Sequence, residues 1–98
     1  MKVNIQSIHF DADGKLLELV QKKLNKLDTF YDRIIDADVY LKIDKDLHQE
    51  NKIIECKINI PGQSLFVKER SRTFEVALDE SLEALKAQLK KFKEKAMV

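Results

Sequence analysis

The sequence predicts an α+β domain of order β-α-β-β-β-α, a four-stranded mixed sheet with two helices packed on one face. Three observations carry this. Apolar and polar residues alternate in four short segments, apolar spacing turns helical in two others, and only two Gly and one Pro break the chain. Ninety-eight residues are near the common size for a single core, and residues 1–98 are expected to form one domain.

Residues 2–8, KVNIQSI, place Val3 and Ile5 on one face, as a short strand does. In the DADGK turn that follows, Asp13 is suited to cap a helix and Gly14 to relax its entry. From Leu16 the spacing is helical through Leu17, Val20, Leu24, Leu27 and Tyr31, a helix expected to fade between Phe30 and Arg33. IIDADVYLKID then reads as a half-buried strand, with Ala37, Val39, Leu41 and Ile43 on one face and Asp38, Tyr40, Lys42 and Asp44 on the other. After the polar hairpin loop KDLHQEN, KIIECKINI alternates again, turning Ile54, Cys56, Ile58 and Ile60 inward. Pro61-Gly62 fits the centre of a type II turn, Pro fixing φ and Gly supplying a positive one. SLFVKER returns as the fourth strand.

Thr73 is the expected N-cap of the last helix, with Glu75 in the first turn where the helix dipole favours an acid. Leu78, Leu82, Leu85, Leu89, Phe92 and Ala96 draw one long amphipathic seam. The first βαβ unit is expected to be a right-handed crossover between parallel strands, and the rest an antiparallel meander. With one apolar face per strand, both helices cover the same side and leave the other wet. This layout is double-stranded-RNA-binding-domain-like.

Hydrophobic residues at 44% suffice for a packed core, and charged residues reach 36%. No apolar run approaches the roughly 20 residues of a membrane span, and the alternating N-terminus lacks a signal peptide's apolar stretch. A lone cysteine, Cys56, excludes an internal disulfide framework. A soluble cytoplasmic domain with no membrane partner is expected.

The formal net charge of +1 hides a polarity along the last helix. Four acids and no base lie between Thr73 and Leu85, whereas five lysines and one acid follow from Lys86 to Val98. A partner responds to such a local field rather than to the sum. At roughly 100° per residue, Lys86, Lys90 and Lys93 form one stripe beside the apolar seam, and Lys91 and Lys95 a second on the far flank. Ala84 and Ala87 are expected on the outermost surface with Glu80, Glu83 and Glu94. In the first helix Lys15, Lys22 and Lys26 share a stripe opposite the core, with Lys23 on a flank. Side by side, the two helices would present one basic face suited to phosphates. The same lysines also suit the negative end of a helix dipole and an ordinary solvated face.

Other signals are weak. His9-x-Asp11-x-Asp13-Gly14 echoes half of a calcium loop, but His9 and Val20 stand where acids are needed. Cys56 falls on an apolar strand face rather than beside a base or a helix N-terminus. His9, His48 and Cys56 lack metal-ligand spacing, and neither a phosphate-binding glycine loop nor a serine elbow is present. Tyr40, Lys42, Lys57 and Asn59 hold too few aromatics for a base-stacking sheet face. No enzyme, cofactor, metal or small-molecule substrate is expected.

Two segments, VQKKLNKLDTFYDRIIDADVYLKID and TFEVALDESLEALKAQLKKFKEK, together with the element order, carry a resemblance spanning essentially the whole chain. They resemble the ribosome hibernation-promoting factor family in its short form, also called the ribosome-associated inhibitor or sigma-54 modulation protein family. The resemblance implies a non-enzymatic translation regulator of idle, stationary-phase or stressed cells. It would bind the small ribosomal subunit and its rRNA between head and body, overlapping the tRNA and mRNA sites. Lys23 and Lys26 match basic positions of the family's first helix, and Lys91, Lys93 and Lys95 those of its last. Family members commonly carry a Lys and an Arg where Ala84 and Ala87 stand, while Lys86 and Lys90 are basic where some relatives are not. A chain ending at Val98 would need a separate small factor to dimerise ribosomes. RNA-binding candidates are therefore Lys22, Lys23, Lys26, Lys86, Lys90, Lys91, Lys93 and Lys95. The competing readings are a protein-interaction module without an RNA role, and a small enzyme using Cys56 or His48.

Overall fold

The computed structural model describes residues 1–96, the last by its backbone alone. The Ala96 side chain, expected at the end of the apolar seam, lies outside the described residues. Strands β1 (Lys2–Ile8), β2 (Asp36–Ile43), β3 (Lys52–Ile60) and β4 (Gln63–Ser71) form one sheet in the order β1-β2-β3-β4. β1 pairs parallel with β2, and the other neighbours pair antiparallel.

Register explains why the alternating pattern works. Ile5 lies beside Val39, Val39 opposite Cys56, and Cys56 opposite Val67, giving one continuous apolar row across all the strands. The neighbouring row is Val3, Ala37, Ile58 and Leu65. A slip of one residue in any strand would turn its whole set to water. On the opposite face the rows are polar: Gln6, Tyr40, Glu55 and Lys68, then Asn4, Asp38, Lys57 and Phe66. Ile53 departs from the pattern, buried on this polar face between Lys42 and Arg70 in the register. Long stems of such residues shield apolar atoms while their charges stay wet. At the β3–β4 turn Gly62 has φ +87°, as the Pro61-Gly62 pair requires.

The helical layer differs from expectation in its first half. One helix was expected up to Phe30; instead α1 (Gly14–Asn25) stops and a short α2 (Leu27–Phe30) follows. Lys26 is the hinge. Its N–H bonds the Lys23 carbonyl at 3.3 Å, three residues back rather than four. Its own carbonyl accepts both the N–H and the hydroxyl of Thr29, at 3.2 and 2.7 Å. The tightened turn still carries Leu27 into the core, and Tyr31 leaves it in extended backbone. Asp13 caps α1 through the Lys15 N–H at 2.9 Å.

Helix α3 (Phe74–Ala96) is capped by Thr73, whose Oγ1 accepts the Val76 N–H at 3.1 Å. Its buried side holds Phe74, Ala77, Leu78, Ser81, Leu85 and Leu89, with Leu82 and Phe92 half-buried at the margin. The seam is thus centred nearer Ser81 than the leucine spacing suggests. Ser81 pays no desolvation penalty because its hydroxyl donates to the Ala77 carbonyl at 2.8 Å. This shift also moves Ala84. It was expected on the outermost surface, but it is half-buried against the core, while Ala87 is exposed. Both helices cover the face lined by Val39, Cys56 and Ile58, forming one core.

Candidate nucleic-acid interface

The two helical segments run in the same direction. Lys23 meets Asp79, Leu27 lines a groove with Leu82 and Lys86, and Phe30 meets Lys93. The C-terminal ends of α2 and α3 therefore lie at the same end of the molecule. Each main helix finishes in lysines: Lys22 and Lys23 in the last turn of α1, Lys93 and Lys95 in that of α3. Their charges offset the partial negative charge of the helix ends. The predicted candidates are distributed along this helical layer, around three separate clefts.

Within that layer the lysines are not equivalent. Lys22 and Lys26 are exposed on the outer side of α1 and its hinge. Lys23 is half-buried and ion-paired with Asp79 across the helix interface. Lys86 lies 3.8 Å from Glu83 of the preceding turn. Lys23, Lys26 and Lys86 line one groove of about 210 Å³ between the helices, floored by Leu27 and Leu82 and shared with Asp79 and Glu83. Two of its three cations thus carry an internal counter-ion. Sequence reading missed this pairing, although the spacing of Glu83 three residues before Lys86 signals the local half of it.

Lys90 stands exposed on the outer surface of α3, beside Ala87 and Glu94 in the helical projection. Lys91 and Lys95 lie on the opposite flank from Lys86 and Lys93. They edge a cleft over β4 with Gln63, Leu65, Gln88 and Phe92. Gln88 closes this flank by donating to the Phe66 carbonyl at 3.2 Å. Lys93 is fixed differently: its ammonium donates to the Phe30 carbonyl at 3.2 Å and sits 4.9 Å from the centroid of the Phe30 ring. Arg33, exposed beside Lys93 in a second cleft, adds a cation that was absent from the candidate set. Its signal was its position in the DRI run directly after the aromatic pair.

Among the described residues the set therefore divides into lysines with no acid partner (Lys22, Lys26, Lys90, Lys91, Lys95), a pair held by acids (Lys23, Lys86), and Lys93 held on an aromatic ring. Such an array supplies point charges on rigid helices, the chemistry that neutralises phosphates. Acyl or group-transfer chemistry is disfavoured by the residues suspected of it. Cys56 is 1% exposed, and burial, aided by Asp38, pushes its thiol up to about 12, so no thiolate forms near neutrality. Asp13 is engaged in capping, and among the described residues no cluster of His, Cys, Asp and Glu is arranged to hold a metal ion. No helix among the described residues is long and apolar enough to cross a membrane.

A family model described as Sigma 54 modulation protein / S30EA ribosomal protein matches residues 3–97. The ribosome hibernation promoting factor of Pseudomonas putida is 32% identical over 95 residues, covering 97% of this chain and 89% of that one. The ribosome hibernation promotion factor of Deinococcus radiodurans is 33% identical over 81 residues, 82% of this chain and 42% of its own. Among solved structures, a ribosomal subunit interface protein from Coxiella burnetii matches with TM-score 0.86 at 24% identity, over 96% of this chain and 99% of that one. The N-terminal domain of Thermus thermophilus Protein Y matches with TM-score 0.81 at 24% identity, over 94% and 99%. These last two likenesses speak to the fold alone. With the family model spanning nearly every residue, the chain belongs to the Sigma 54 modulation protein / S30EA ribosomal protein family.

Proposed function

We propose that this protein is a ribosome hibernation factor that binds the small ribosomal subunit in the tRNA and mRNA channel and so inhibits translation on idle ribosomes. The carrying observation is the set of lysines spread over the helical layer, from the last turn of α1 to the last turn of α3, in a chain whose relatives are named ribosome hibernation factors. The mechanism needs no bond-making. Lys22, Lys26, Lys90, Lys91 and Lys95 neutralise rRNA phosphates directly, and Lys23, Lys86 and Lys93 join by exchanging an internal partner for a phosphate. The rigid sheet behind them then acts as a plug, occupying space that tRNA and mRNA require.

The test is co-sedimentation with purified small subunits. The wild-type chain is expected to travel with them, and the variant carrying Lys23→Gln, Lys26→Gln, Lys91→Gln and Lys95→Gln to stay at the top of the gradient while keeping its circular dichroism spectrum. Neutralisation of ~4–6 phosphates also predicts a steep loss of binding between low and moderate salt. Co-sedimentation of the quadruple variant at moderate salt would remove these lysines from the interface.

A further inference from the structure

At the shared end of the helices, a cleft of about 540 Å³ opens between α2, the β3–β4 turn and the last turns of α3. Phe30, Tyr31, Phe92 and Pro61 supply its apolar walls, while Thr29, Asp32, Arg33 and Lys93 form the polar part. Its size falls within the range of small-molecule sites. Tyr31 and Phe92 meet edge to face, with ring centroids 6.0 Å apart and planes at 78°, which fixes the two rings against each other at the cleft. The core accounts for Tyr31, which is 9% exposed, but Phe30 and Phe92 remain half-buried with part of each ring on the cleft.

Charge at the cleft is asymmetric. Lys93 and Arg33 line it against one carboxylate, Asp32. Lys91 and Lys95 stand on the opposite flank of the same helix turns, and Phe92 is shared between the two clefts. A polyanion engaging both flanks across the Phe92 side of these turns would meet the aromatic opening. The occupant must then combine a flat apolar body with an attached anion. RNA strands present that combination when a base leaves its stack, and proteins take such bases on aromatic faces beside cations.

We propose that this cleft accepts one unstacked nucleobase of the rRNA that the lysines hold, with Phe30 and Phe92 as the stacking surfaces and Lys93 and Arg33 binding the flanking phosphates. The inference rests on the ribosome-binding reading and adds to it a contact that is not electrostatic. Lys93, placed on the Phe30 ring, marks where the phosphate enters. Because every base has an apolar face, the cleft selects for an unpaired nucleotide more than for its identity.

Affinity for purified small subunits, measured across a salt series, tests it with Phe30→Leu, Phe92→Leu and Lys93→Gln. Loss of one stacking ring is expected to weaken binding about tenfold while leaving the slope of log affinity against log salt unchanged. Lys93→Gln should instead flatten that slope by about one ion. In a second arm, a photo-reactive benzoylphenylalanine replaces Asp32, exposed at the rim, and is expected to cross-link to an rRNA nucleotide. Wild-type affinity in both leucine variants overturns the proposal, as does a cross-link to a ribosomal protein in place of rRNA. If either leucine variant fails to fold, the cross-link decides. A wild-type chain that does not bind small subunits instead overturns the ribosome reading itself, which separates the two failures.

Discussion

Lys23 of α1 reaches across the helix interface to form an ion pair with Asp79 of α3, so the acidic half of the last helix restrains a lysine of the first. Asp79 is 58% exposed along its side chain, and the pair contributes little to stability, about 0–1 kcal/mol. Its effect on a polyanion is larger, because it both occupies a cation and adds a repelling charge at the groove. Asp79→Asn is therefore expected to tighten binding to small subunits about two- to fivefold, from ~0.5–1 kcal/mol of relieved electrostatics. The melting temperature should hardly move. Unchanged or weaker binding in a salt-controlled titration would show that Lys23 takes no part.

The core prediction concerns two neighbours on α3. Leu85 and Ser81 are both buried, at 0% and 1% exposure, yet they contribute in different ways. Leu85→Ala removes apolar volume between helix and sheet and is expected to cost ~2–5 kcal/mol. Ser81→Ala removes a hydroxyl whose partner, the Ala77 carbonyl, still belongs to the helix ladder, so its cost should stay below ~1 kcal/mol. Urea denaturation of the two variants, with equal slopes, checks the ranking. A Ser81→Ala loss as large as that of Leu85→Ala would mean the hydroxyl has a structural role beyond its own turn.

These positions also show what the sequence could reveal. Strand faces were legible because a period of two leaves no choice: Val39, Cys56 and Ile58 face the helices as their alternation demands. The caps at Asp13 and Thr73 were legible because each lies directly before a change of period. The hinge at Lys26 was not, since apolar spacing continues through Leu27 and Tyr31. The break shows only in the bonding, where Lys26 reaches back three residues to Lys23 and its own carbonyl takes both the N–H and the hydroxyl of Thr29. Ala84 was misplaced because leucines alone drew the seam, and a buried serine does not announce itself. In the candidate interface, the lysine stripes followed from helical geometry. The Lys23–Asp79 pair, separated by 56 residues, required the packing of α1 on α3. Likewise, the cleft of Phe30, Phe92 and Arg33 exists only because both helices end at the same place.

Cys56 gives a prediction with a definite pH sign. Burial, reinforced by the charge of Asp38, raises its thiol from 9.0 to about 12, so the folded protein keeps its proton where an unfolded chain would lose it. Stability from this group is complete below the unfolded value and falls as pH rises from about 9 towards 12, because the folded state binds the extra proton throughout that window. At pH 8 the thiol is neutral as well as covered. Labelling by a disulfide reagent such as 5,5′-dithiobis(2-nitrobenzoic acid) should therefore be slow in the native protein and fast in urea. Its native rate should follow global opening, so Leu85→Ala is expected to raise the logarithm of that rate in proportion to lost stability. Rapid labelling of the native wild type, unaffected by Leu85→Ala, would mean that the β2–β3 region opens locally and exposes an accessible thiol.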